Sequence, residues 1–302
     1  MLFYQQNSTV MKGIYQNASP ITKTLQLFVA IFIAILVLTS LTVIFTDGDM
    51  NNLRTIKQMQ LIQSLSLFVA LPLLLATLWS QQPLSYLQLK TKSSPANYLL
   101  VICTMLTAIP AINFVASINQ QISFPESLSG LENWMRTTEN ELQALTIRLV
   151  NVNRISDLIF NLLLIAVLAG LGEELMFRGI LFKLLREWKN SIFAIWVAAF
   201  IFSSIHMQFY GFFPRFMLGA LFGYMLVWSG NLWLPILAHT INNGVAVIFY
   251  YLKFNGVSVI NIDTIGTGDT VYLAITSAIL TTLGIVILRK KLLKETSSDI
   301  II

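Results

Sequence analysis

The sequence predicts an all-α fold, a polytopic bundle of about eight transmembrane helices, with the chemistry carried by a core of four of them. Two observations predict it. Of the 302 residues, 56% are hydrophobic and only 11% charged, against about 25% charged in a soluble domain; the mean hydropathy is +0.72. The apolar residues also fall in runs close to the ~20 residues that a helix needs to cross the hydrocarbon core. This composition excludes a disordered chain, a cytosolic enzyme and a nucleic-acid binder. The net charge of +5 reflects Lys and Arg gathered at the ends of apolar runs. The one cysteine, Cys103, cannot form an intrachain disulfide.

Eight runs qualify as spans: Leu25–Phe45, Leu61–Ser80, Tyr98–Ile118, Ile155–Trp188, Ser191–Phe209, Phe213–Trp228, Leu232–Leu252 and Val271–Leu288. The first is too long for a signal-peptide core and no small-residue cleavage site follows it, so it is expected to stay as a helix. The Lys/Arg bias places both termini in the cytoplasm of an integral plasma-membrane protein, where the sequons at Asn7 and Asn17 go unused. The long connection Asn119–Arg154 carries Leu131, Trp134, Met135, Leu142, Leu145 and Leu149 at helical spacings. That stripe predicts an amphipathic helix lying in the headgroup plane or over a cavity. Organisation follows as 1–118 (three spans), 119–154 (the outer connection), 155–252 (the four-helix core) and 253–302 (last span and basic tail).

Ionisable residues inside a membrane are costly and mark functional sites by default. The only adjacent acids are Glu173 and Glu174, within Ala169-Gly-Leu-Gly-Glu-Glu-Leu-Met-Phe-Arg-Gly in the fourth run. Glu174 and Arg178 stand at i, i+4 with the acid first, the favourable order for a helical ion pair. Both histidines of the chain also lie in apolar surroundings: His206 ends Phe202-Ser-Ser-Ile-His, and His239 opens His-Thr-Ile-Asn-Asn with Asn242 and Asn243 one turn on. A lone membrane histidine is usually a packed core residue; two beside an intramembrane acid pair weaken that reading. If the fourth and fifth runs form a hairpin about Lys189–Asn190, Glu173 and His206 lie at equal depth, ~25 Å from the turn. His239 lies ~13 Å from the Ser229-Gly230-Asn231 turn, a mismatch reduced if the fourth helix projects beyond the bilayer. A shared chamber opening to the cytoplasmic side is expected.

A desolvated carboxylate can act as a general base and His or Asn side chains can donate to an oxyanion, so the set suits hydrolysis. Zinc is the competing chemistry, with His206, His239 and Glu173 as ligands. The helical His-Glu-x-x-His signature is absent, and no cofactor is required.

These motifs resemble the CAAX-processing and bacteriocin-processing (CPBP) intramembrane proteases, the type II CAAX prenyl endopeptidases and their bacterial relatives. The family's Glu-Glu-x-x-x-Arg is matched by Glu173, Glu174 and Arg178, its Phe-x-x-x-His by Phe202 and His206, and its His-x-x-x-Asn by His239 and Asn243, which selects Asn243 over Asn242. Gly219, Gly223 and Ser229-Gly-Asn-Leu-Trp-Leu-Pro also resemble it. The resemblance covers about residues 155 to 250. It implies an intramembrane endopeptidase of a bacterial plasma membrane, acting on a peptide or membrane-protein substrate in the lipid bilayer, with no nucleic-acid partner. It further implies that Glu173 activates water with His206, that Glu174, Arg178 and Phe202 support the site, and that His239 and Asn243 stabilise the oxyanion. A non-proteolytic membrane regulator or immunity factor holding a partner's transmembrane segment is the alternative.

Overall fold

The computed structural model describes residues 11–49, 51–257 and 261–299; Asn7 lies outside them. Within these residues the chain is helical, with no strand. The long helices are α1 (Pro20–Phe45), α2 (Leu53–Trp79), α3 (Pro95–Gln120), α4 (Ser129–Val150), α5 (Ile155–Trp188), α6 (Ser191–Ser204), α7 (Phe212–Ser229), α8 (Trp233–Phe254) and α9 (Val271–Asp299). Every predicted span coincides with a helix. Six segments are long and apolar enough to cross a membrane: α1, α2, α3, α5, Phe209–Ser229 around α7, and Gly268–Glu295 within α9 and its approach.

The other two predicted spans fall short for different reasons. α6 has only 14 residues, ending at Ser204 rather than Phe209; Ile205 caps it, and Met207 takes a left-handed φ of 54°. α8 has 22 residues, but His239, Thr240, Asn242 and Asn243 dilute its apolar run. These are two of the helices that carry the polar motifs.

α5 is the axis of the bundle. It runs 34 residues and contains two π-helical stretches, Leu162–Leu168 and Leu175–Leu181, on either side of Ala169–Glu174. Such wide turns recur at functional sites because they re-aim side chains and free carbonyls. Three glycines let neighbours close on α5. An added Cβ would come within 2.9 Å of Thr240 Oγ1 at Gly170, 2.7 Å of Phe68 Cβ at Gly172 and 2.8 Å of Leu87 at Gly179. α8 and α2 therefore approach α5 closely just before the acid pair, and Leu87, beyond the end of α2, closes on it after the pair. α6 and α7 complete the core, where an added Cβ at Gly219 or Gly223 would come within 3.2 Å of Ala199 or Ile195.

Two apolar clusters hold the bundle. One joins Leu75 and Trp79 of α2 to Phe177 and Ile180 of α5 and to Ala198 of α6. The other joins Val101 and Met105 of α3, Met225 of α7, Leu234 of α8 and Leu288 of α9. α1 stands at the periphery, only 6% of its most apolar stretch buried, tied to the end of α5 by a two-oxygen Lys23–Glu187 ion pair at 2.8 and 2.9 Å. Asp157, which the sequence suggests is solvated, faces Lys57 at 3.4 Å.

Candidate active site

The site is assembled from the side chains of α5, α6 and α8, with α7 as its wall. Glu174, fully buried, receives Arg178 Nη1 at 2.6 Å, and the same Oε1 atom receives His239 Nδ1 at 2.9 Å. Arg178 Nη2 donates to the Gly219 carbonyl at 2.8 Å, and its guanidinium lies between the rings of Phe202 and Phe222, at 4.9 and 5.4 Å. Desolvation of this cation is thus offset by a carboxylate, a carbonyl and two aromatic faces. The His239 imidazole stacks on Phe222 at 5.3 Å and meets Phe202 edge-on at 5.8 Å.

Glu173 points the other way, into a cavity of about 300 Å3. Its Oε2 lies 3.9 Å from His206 Nε2 and 3.7 Å from His239 Nε2 and has no hydrogen-bond partner. The ring tautomers follow from the opposite nitrogens. His206 Nδ1 is 2.7 Å from the Phe202 carbonyl, which can only accept, so Nδ1 carries a proton; His239 Nδ1 likewise donates to the Glu174 carboxylate. In neutral rings both Nε2 atoms would present lone pairs to a carboxylate, three acceptors around one point. Such a point needs donors: a water, and a proton on one of the three groups.

Asn243 lines the same cavity. Its Nδ2 donates to the Ile165 carbonyl at 3.2 Å, in the first π-helical stretch of α5, and its Oδ1 accepts from Asn242. All seven residues singled out in the sequence therefore sit within or against one chamber. The depth mismatch of His239 is resolved by the projection of α5: an added Cβ at Gly179 would lie 3.8 Å from Leu232, so α8 starts level with Gly179 and the rest of α5 extends beyond it.

The mouth of the chamber corrects an expectation. It opens away from the Lys189–Asn190 turn and from both described chain ends, beneath α4. His206 stands at the far end of the short α6, and the segment 205–211 turns aside there. Thr146 and Val150 of α4, Gln208, Arg215 and Tyr250 line both the chamber and an outer vestibule of about 670 Å3. α4 turns Glu139, Asn140 and Gln143 into this vestibule, while Leu131 and Trp134 of its apolar stripe are exposed. α4 is held by the Glu132 carboxylate, which accepts from the Phe124 N–H and from Arg136, and by Glu139, which accepts from the Tyr210 N–H.

The ionisable groups that face the buried carboxylates, Arg178, His206, Arg215 and His239, all lie between Glu173 and Asn243. Residues 155–245 match the model of the type II CAAX prenyl endopeptidase Rce1-like family. The match falls on the segment that carries the resemblance read from the motifs, and covers under a third of the chain. No curated protein and no solved structure matches the chain. The Rce1-like family is one of proteases, and the helical architecture is that of an integral, multi-pass membrane protein.

Glu173 Oε2 lies farther from the two Nε2 atoms than the about 3.4 Å between ligand atoms of a tetrahedral zinc, and among the described residues no three His, Cys, Asp or Glu side chains are grouped to hold a metal ion. Motif reading missed Phe222, Arg215 and Gln208. Phe222 had a signal, lying one turn beyond Gly219 on the packed face of α7; Arg215 read as an ordinary charge at the outer edge of a span.

Proposed function

We propose that the protein is an intramembrane endopeptidase that hydrolyses a peptide bond of a membrane-associated or lipidated substrate with a water activated by Glu173. The observation that carries this reading is the convergence of Glu173 Oε2 with His206 Nε2 and His239 Nε2 at 3.9 and 3.7 Å in a buried cavity. The water donates one O–H to Glu173 and the other to the His206 lone pair. As it attacks the scissile carbonyl carbon, Glu173 takes its proton and later returns it to the leaving amine. His239 acts as the imidazolium: Glu174 holds its Nδ1–H, as the carboxylate of a triad holds its histidine, and Nε2–H donates to the oxyanion. The second amide N–H of Asn243 adds to that stabilisation. In this state Glu173 and Glu174 balance Arg178 and His239, so the buried quartet is neutral.

The test is peptide release from membranes carrying wild-type protein or Glu173→Gln, followed by cleavage of the identified peptide by purified protein. Loss of a general base or an oxyanion donor costs about 10²- to 10⁴-fold, and that loss is expected for Glu173→Gln and for His206→Ala while both accumulate normally. Cleavage by Glu173→Gln at the wild-type rate would overturn the assignment. A binding-only regulator would keep its effect in that variant.

A further inference from the structure

One cation at the chamber lies outside this quartet. Arg215 of α7 lines both the chamber and the vestibule. Its Nη2 donates to Gln208 Oε1 at 2.7 Å and its Nη1 to the Gln208 carbonyl at 3.4 Å; among the described residues its other N–H donors make no hydrogen bond and no carboxylate lies within ion-pair distance of it. Of the two acids of the vestibule, Glu139 acts on Arg215 through its charge, but both make their hydrogen bonds to other groups. Glu139 Oε2 accepts from the Tyr210 N–H at 2.9 Å, and Asp263 Oδ2 accepts from the Tyr250 hydroxyl at 2.7 Å. Gly211 leaves room for the guanidinium, since a Cβ there would lie 3.2 Å from Arg215 Nη2.

We propose that Arg215 is a specificity-determining residue, binding a carboxylate of the peptide substrate at the neck between vestibule and chamber. This rests on the hydrolytic reading for the neutrality of the inner quartet. A guanidinium presents a planar fork of donors that matches a carboxylate in two parallel bonds, which a lysine ammonium does not reproduce. Gln208 holds that fork in place from one side and leaves the rest of it open to the neck. The polar lining of the vestibule suits an extended, hydrated peptide segment rather than an intact apolar helix, whose backbone and side chains would leave those groups unsatisfied. The carboxylate can belong to an acidic side chain or to a chain terminus, two sources with the same chemistry.

The test uses full-length Glu173→Gln protein in detergent, so that binding is read without turnover. Three fluorescent decapeptides share one uncharged sequence: one with a central Asp and an amidated end, one with Asn and a free terminal carboxylate, one with Asn and an amidated end. Fluorescence anisotropy should show one or both carboxylate peptides binding about 10- to 100-fold more tightly than the neutral one, the size of a charge-assisted hydrogen-bonded contact. Which of the two is preferred identifies the source. Adding Arg215→Gln should abolish the difference; adding Arg215→Lys, which keeps the charge, should retain part of it. Equal binding of all three peptides, or a preference that survives Arg215→Gln, overturns the proposal. Failure of the hydrolytic reading looks different: wild-type protein would bind the favoured peptide through Arg215 and leave it uncut.

Discussion

Glu174 Oε1 serves two donors, Arg178 from its own helix and His239 from α8, so one atom carries both a structural contact and an orienting one. Arg178→Met would leave a fully buried carboxylate without its cation, at a cost of about 3–5 kcal/mol. Adding Glu174→Gln should recover most of that loss, because a neutral amide no longer needs the guanidinium and can still accept from His239. Turnover should stay low in the double variant, since the negative charge that favours the His239 imidazolium is gone. Thermal unfolding in detergent beside cleavage rates checks this. Equal stability of Arg178→Met and wild type would refute the ion-pair account.

At the scale of helices, the approach of α5 to α8 is set by Gly170. Its absent Cβ would lie 3.1 Å from the Thr240 backbone nitrogen, which cannot swing away. Gly170→Ala should therefore push His239 away from Glu173, lowering turnover sharply with a stability cost of about 1–3 kcal/mol. Gly244→Ala, in the same helix pair with its nearest atom at 3.6 Å, should do little. Comparable activity of the two variants would show that this spacing does not matter. The anchoring of α4 gives a pH dependence. The Phe124 N–H, then Arg136, hold the Glu132 carboxyl below its ordinary 4.5. With the folded value depressed, the anchoring is complete above the unfolded value and is lost as pH falls through the folded one. Nicking of the 121–128 segment by an acid-tolerant protease should rise steeply in that acidic range. In Glu132→Gln it should already be high at neutral pH and nearly flat. The helices and the spacing of Glu173, Glu174, Arg178, His206 and His239 were legible because charges and imidazoles are conspicuous in apolar runs. The early end of α6 was not, since Ile205, Met207 and Phe209 carry apolar residues on past Ser204 around His206 and Gln208, and the left-handed turn at Met207 has no compositional mark. The direction of the chamber's mouth was hidden for the same reason.

For the whole molecule, activity should survive exhaustive chelation, because a buried carboxylate and its hydrogen-bonding neighbours suffice to activate a water. Elemental analysis of purified protein, beside activity before and after chelation, decides it. Stoichiometric zinc whose removal abolishes activity and whose return alone restores it would instead make His206, His239 and Glu173 ligands. The first span has a different consequence. Lys23 and Glu187 meet although 164 residues separate them, beside hydrogen bonds from Trp79 to Gln26 and from Trp188 to Thr24 and the packing of Leu27 into the core. During synthesis α1 enters the bilayer when neither α5 nor the acid at its projecting end yet exists, and Lys23 must wait at the headgroup surface. The last turn of α5 then captures it. Assembly of this protein thus closes on a helix made well before α5, and a chain that misplaces α5 would expose that failure as a loose α1, open to whatever machinery inspects nascent membrane proteins.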